Sequence, residues 1–287
     1  MIRNASGACI RHAFSVVATL VFTFQTTLTA ADPGSLVERK PGQVADVVVG
    51  KSLKMKFCWV PAGKATLGSR NGFDENREHQ YSTDGLWMGK YTVTQKEWQT
   101  IMGNNPSCHS KDGGDKHKVV SIDTALFPVE TISWDDCQDF ITKFRSIANV
   151  PTVMGSGKFA LPDEDQWEYA CRGGLGKQQF YWGNELNGDK ANCNGRFPAA
   201  MAEGTYLGRT TLVGSYESKA PHPWGLCDMS GNVWQWCNNV YAAGSTKHAL
   251  RGGGYFTPAT SCVSVRRSSA EPTHSCSDTG FRLVYVP

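Results

Sequence analysis

Apolar and small residues alternate through MKFCWVPAGKATLGS, residues 55 to 69, around a Pro-Ala-Gly turn, and this pattern predicts a hairpin. LWMGKYTVTQKEWQTIMGNNPS, beginning at Leu86, reads first as a strand and then as a short helix. Thr94 is a candidate N-cap, Glu97 three residues on completes a capping box, and Gly103 ends the helix. Residues 103 to 120 are polar and read as a surface loop. The apolar pattern restarts in FPVETISWDDCQDFITKFRSIA, with a strand predicted to end at Ser133. Trp134, Cys137, Phe140, Ile141 and Phe144 then recur at helical spacing, which places Trp134 and Cys137 in a core rather than a site. KFALPDEDQWEYACRGG predicts a third short helix. From Gly173 onward helical periodicity nearly vanishes, and Gly-, Asn-, Pro- and Trp-rich turns separate short strands. Without internal repeats, the pattern predicts one α+β domain with early helices and an irregular, β-rich second half.

Composition adds a loop-rich character. The chain has 287 residues, with 30 glycines and 9 tryptophans, which suits irregular backbone pinned by large aromatic anchors. A net charge of +3, with 19% charged residues and no long basic run, gives no reason to expect nucleic acid as a partner. The N-terminus reads as a secretory signal over residues 1–31. Arg3 and Arg11 supply the positive region, residues 13 to 24 the short apolar core, and Thr29, Ala30 and Ala31 a cleavage site. The apolar run is shorter than the roughly 20 residues a membrane span needs, so no span is expected after cleavage. Residues 32–52 read as a linker or first edge strand and 53–287 as the folded domain. A secreted, periplasmic or cell-surface location follows.

Export changes how the cysteines read. Removing Cys9 leaves Cys58, Cys108, Cys137, Cys171, Cys193, Cys227, Cys237, Cys262 and Cys276, an odd number without a CxxC pair. Pairing is expected in an oxidising compartment, with at least one thiol left over, while a zinc ribbon or a thioredoxin-like site is not.

Eight segments in register, VPAGKATLGS, WMGKYTVTQKEWQTIMGNNPS, FPVETISWDD, LPDEDQWEYACRGG, YWGNE, GLCDMSGNVWQWC, LRGGGY and GFRLV, resemble the formylglycine-generating enzyme family, also called sulfatase-modifying factors. The resemblance covers roughly residues 55 to 286. It implies a single domain with a variant of the C-type lectin fold, low in regular secondary structure and often calcium-stabilised. Family oxidases convert a sulfatase cysteine to formylglycine with molecular oxygen, holding Cu(I) between two cysteine thiolates five residues apart after a Gly-Gly-Ser element. In this chain Gly252 and Gly253 match, Gly254 stands in the serine position, Thr257 in the first cysteine position, and Cys262 in the second. A threonine hydroxyl is a hard, neutral donor and does not replace a thiolate on Cu(I). The copper-thiolate site is therefore incomplete. Cys262 has three readings: a disulfide, with Cys276 as candidate partner, an unpaired buried thiol, or part of a rebuilt metal site. The family bridge from the position of Cys171 needs a cysteine after the final Gly-Phe-Arg, where this chain has Leu283. Cys171 and Cys237 read as core residues.

The resemblance also maps a calcium loop onto Asp228, the carbonyls of Gly231 and Val233, and Gln235, with glutamine in the usual glutamate position. The competing reading is a tight Gly-Asn turn anchored by Trp234 and Trp236. A second family calcium loop, starting at Asn192 and the Cys193 carbonyl, lacks its acid near Thr205, and a full second site is not expected.

Two functions from different classes follow. The first is an exported, ligand-binding or otherwise atypical member, with Gly254, Tyr255, Phe256, Arg266 and Arg267 lining the cleft and a protein or peptide, a sulfatase among the candidates, as ligand. Its bland competitor is that Arg266 and Arg267 are exposed arginines or form salt bridges, with Asp278 or Glu271 as partner. The second is a copper- and oxygen-dependent oxidase working through Cys262.

Overall fold

The structure is a computed structural model, and it describes residues 38–69 and 77–287. The signal-peptide reading of residues 1–31 lies outside the described residues.

In chain order the strands are β1 (Val44–Val49), β2 (Leu53–Val60), β3 (Gly63–Leu67), β4 (His79–Thr83), β5 (Leu86–Gly89), β6 (Ala148–Asn149), β7 (Lys158–Ala160), β8 (Trp234–Val240), β9 (His248–Arg251), β10 (Arg267–Ala270), β11 (Thr279–Gly280) and β12 (Val284–Val286). The helices are α1 (Gln95–Met102), α2 (Trp134–Ile147) and α3 (Glu164–Arg172). One sheet runs β6-β1-β2-β5-β12-β7 and a second runs β10-β9-β8-β11. This mixture, with few helices, matches the expected α+β class.

Local chemistry places the helices. Glu97 N–H donates to Thr94 Oγ1 at 3.2 Å while Thr94 N–H donates to Glu97 Oε2 at 2.7 Å, and Gly103 closes α1 in the left-handed region at φ 87°. Ser133 and Asp136 repeat the box at α2. The α2 face buries Cys137, Phe140, Ile141 and Phe144. Phe140 stacks on Trp98 at 5.4 Å, and Phe281 meets Phe140 edge-on at 5.2 Å. Trp134 is only half-buried. Its ring stacks on His248 at 3.9 Å and its indole N–H donates to the Cys237 carbonyl.

Three expectations change. The segment 55 to 69 does not form a hairpin: β2 pairs with β1 and β5, and β3 pairs with β4. The Pro-Ala-Gly turn thus hands the chain from one sheet to another. The strand expected before Ser133 is an isolated bridge between Thr94 and Pro128. The second half is less β-rich than expected, because residues 173 to 233 carry only isolated bridges and regular strands resume at Trp234.

The C-terminus locks the fold. β12 inserts between β5 and β7, pairing Val284 with Met88 and with Ala160. Immediately before it, the buried Arg282 reaches across to the second sheet and bonds Gln235 on β8.

Candidate functional site

Gly252 and Gly253 open the segment with positive φ, 98° and 78°, which other residues rarely adopt. At Gly253 a Cβ would also lie 2.5 Å from Cys262 Sγ. Gly254 has a different reason to be glycine: a Cβ there would fall 2.6 Å from Asp278 Oδ2. The Asp278 carboxylate therefore occupies the space that a serine at 254 would need. Burial pushes that carboxyl above its usual value.

Thr257 is buried and its hydroxyl is already engaged, accepting the Gly254 N–H at 2.9 Å. Its own N–H donates back to the Gly254 carbonyl at 3.0 Å. The residue closes a tight turn. Cys262 is fully buried, and its thiol touches that of Cys193 rather than that of Cys276. The neighbouring Cys193 sulfur and burial hold the Cys262 thiol well above its usual value, so it is neutral at ordinary pH. Cys276 instead engages the Asp278 carboxylate. The expected Cys262–Cys276 disulfide is thus replaced by a Cys193–Cys262 thiol contact, and all nine described cysteines are free thiols. Cys171 and Cys237 are fully buried, and burial pushes the Cys171 thiol up to about 12. Neither is a candidate nucleophile.

Tyr255 and Phe256 point in different directions. Tyr255 is buried edge-on against His109 at 5.0 Å, and its hydroxyl lies 3.3 Å from Ser277 Oγ. Phe256 packs edge-on against Tyr255 and is 43% exposed. His109 is itself fully buried, 3.4 Å from Glu130 Oε1 and 3.6 Å from Asp115 Oδ2. Arg267 does not face this surface. It forks onto Glu164, at 2.8 and 2.6 Å, and donates to the Tyr241 carbonyl. Its partner is therefore neither Asp278 nor Glu271. Arg266 is half-buried, and its carbonyl accepts from Arg251 at 3.1 Å.

The calcium loop can be tested on its donors. Asp228 Oδ2 accepts the Gly214 N–H at 2.7 Å, and the Gly231 carbonyl accepts the Val233 N–H at 3.0 Å. Gln235 Oε1 accepts both Trp167 Nε1–H at 2.8 Å and Arg282 Nε–H at 2.6 Å, while its amide N–H donates to the Asp228 carbonyl. Both lone pairs of the glutamine oxygen are taken, and a guanidinium stands beside it. This donor set does not fit a hard dication needing six to eight free oxygens. Adding EDTA or millimolar calcium is accordingly expected to leave the thermal midpoint unchanged. A calcium-dependent rise of several degrees in a thermal melt would restore the ion to the loop.

His109 and Glu130 are neighbours that the sequence does not point to, and from it Cys193 and Asp278 read as a calcium-loop carbonyl and an ion-pair partner. Their positions in the chain, at 109, 130, 193 and 278, carry no spacing that would gather them.

Comparison with known proteins places this geometry. Residues 48–286 match the sulfatase-modifying factor enzyme 1-like domain family. The formylglycine-generating enzyme of Streptomyces coelicolor is 35% identical over 178 residues, covering 54% of this chain and 51% of that protein. The Bos taurus protein called inactive C-alpha-formylglycine-generating enzyme 2 is 31% identical over 164 residues, covering 54% of this chain and 49% of that one. The chain thus spans about half the length of each. Among solved structures, Treponema denticola variable protein 1 superposes with a TM-score of 0.67 at 25% identity, covering 85% of this chain and 99% of that one. With this match and the fold described above, the chain belongs to the sulfatase-modifying factor family, the family of the formylglycine-generating enzymes.

Proposed function

We propose that this chain is an exported, atypical member of the family that holds a peptide segment of another protein without oxidising it. The observation that carries the reading is the chemistry at Thr257. The position that would supply a second thiolate carries a hydroxyl, and that hydroxyl is consumed by the Gly254 N–H. The Asp278 carboxylate fills the serine position, and the remaining thiol, Cys262, is buried and neutral. These residues do not fit a two-thiolate Cu(I) site of the kind the family resemblance implies. What remains is a surface. Phe256 is exposed above a Tyr255 ring fixed by His109 and Ser277, an aromatic pair suited to anchoring a peptide. No helix among the described residues is long and apolar enough to cross a membrane.

The test uses a Cys-x-Pro-x-Arg peptide, the type of sequence family oxidases modify in sulfatases, with Cu(I), reductant and oxygen. The expected result is binding by calorimetry, weakened about fivefold or more by Phe256→Ala, with no aldehyde detected by mass spectrometry. Oxygen- and copper-dependent aldehyde formation that disappears in Cys262→Ala would instead establish the oxidase reading. Peptide capture that is indifferent to Phe256 would remove the proposed surface.

A further inference from the structure

Two thiols from distant parts of the chain meet in the smallest of the core clusters. Cys193 and Cys262 are both buried there, packed with Phe180, Leu186, Ala191, Ala199 and Ala259. The backbone holds them side by side from several directions. Asn194 N–H donates to the Thr257 carbonyl at 2.9 Å, and Asn194 forms a parallel bridge with Pro258. On the other side of Cys193, the Asn192 carbonyl accepts the Asn232 N–H at 2.7 Å. The Cys262 thiol is confined on its far side by Gly253, where any Cβ would sit 2.5 Å from the sulfur. Beside it in the same buried cluster lies the thiol of Cys193. Like Cys58 and Cys227 towards the Gly225 carbonyl, Cys171 towards that of Met229 and Cys237 towards that of Gln235, Cys262 directs its S–H towards a backbone carbonyl, that of Thr257 at 4.0 Å.

We propose that Cys193 and Cys262 close a disulfide when the chain folds in the presence of a thiol-disulfide oxidant of the glutathione type. The exchange balances. One cysteine loses its proton, attacks a sulfur of glutathione disulfide and releases one glutathione thiolate, leaving a mixed disulfide. The second cysteine then loses its proton and attacks the protein sulfur of that intermediate, expelling the second glutathione. The two cysteines together give up two electrons and two protons, and the oxidant leaves as two glutathione thiols. Both thiols are enclosed in the native state, so the reaction belongs to folding, before the cluster shuts around them. Once formed, the bridge ties the 193 loop to the segment beneath Tyr255 and Phe256, and it withdraws Cys262 from any role as a soft ligand. The bridge does not depend on the peptide-binding reading, since it closes whether or not the surface above it holds a ligand.

The full chain is refolded in reduced and oxidised glutathione, alkylated, digested and mapped by mass spectrometry. The expected result is one peptide pair linked through Cys193 and Cys262, and a thermal midpoint higher by roughly 5 °C or more than that of the reduced protein. Cys193→Ala and Cys262→Ala should each abolish the link and leave the remaining partner alkylated, whereas Cys276→Ala should keep it. Recovering both Cys193 and Cys262 in alkylated form from the oxidised wild type, or finding Cys262 linked to Cys276, overturns the proposal. The wild-type map decides the matter even where an alanine variant does not fold.

Discussion

Replacing Arg282 by alanine is expected to destabilise the fold by about 3–5 kcal/mol, read as a lower urea midpoint at constant slope. The guanidinium is fully buried and its charge is met by neutral oxygens instead of a carboxylate contact. It donates to Gln235 Oε1 at 2.6 Å, to the Gly89 carbonyl at 2.9 Å, and to the Cys227 and Asp228 carbonyls at 2.7 and 3.1 Å. One side chain thus clamps the end of β5, the Cys227–Asp228 turn and the start of β8. Removing it strands several buried acceptors at once, each costing about 1–3 kcal/mol where no water replaces the donor. Arg282→Lys should recover little, because an ammonium cannot present the planar fork that reaches three segments together. A loss below about 1 kcal/mol for the alanine variant would show that water or a neighbouring donor takes over these carbonyls.

The parts of the fold set by neighbours in sequence were legible, and those set by distant partners were not. Thr94, Glu97 and Gly103 fix α1 within ten residues, and Ser133 with Asp136 fixes the start of α2, so both helices can be read directly. The turn after Val60 has hairpin chemistry, yet β2 finds its second partner in β5, and β12 completes that sheet from the far end of the chain. Nothing local in VPAG encodes that choice. The same limit governs the site. Gly254 and Thr257 were visible as departures from the family pattern, but the reason residue 254 is glycine is Asp278, whose carboxylate reaches the space over it. Cys193 lies 69 positions before Cys262, and no spacing rule joins them. Arg267 was misplaced for a related reason. An arginine beside an aromatic loop reads as a surface anchor, whereas its acid, Glu164, sits at the start of a helix more than a hundred residues earlier.

Glu168 carries the second large effect, and its sign depends on pH. Its carboxylate is fully buried on α3. Oε1 accepts from Gly68 N–H at 2.8 Å and from Arg172 at 2.9 and 2.8 Å, and Oε2 accepts from Arg251 at 2.6 Å. Arg251 also faces Glu164 at 3.3 Å, so two acids and three arginines, including Arg267, share one buried network. Burial opposes ionisation of Glu168, but the Arg251 and Arg172 charges outweigh it and hold the carboxyl below its usual value. The folded state therefore favours the ionised form. The stability this contributes is full above the unfolded value, near 4.5, and is lost as pH falls towards the lower folded value. Other groups shifted by burial act earlier, and not all in the same direction. Burial raises Asp228 and Glu97 to about 6 and Asp278 above its usual value, so through these acids the fold regains stability as pH falls from about 6 to 4. Burial lowers His222 to about 4, so the fold loses stability over about 6.5 to 4. The raised acids oppose His222, so the Glu168 contribution below about pH 4.5 is read as the difference between the wild type and Glu168→Gln. Glu168→Ala should cost about 3–5 kcal/mol at pH 7, because it leaves Arg251 and Arg172 without their shared anion. Urea midpoints between pH 6 and pH 3 should fall steeply below pH 4.5 in the wild type and much less in Glu168→Gln. Parallel curves for the two proteins would mean that acid unfolding starts elsewhere and that the network tolerates a neutral centre.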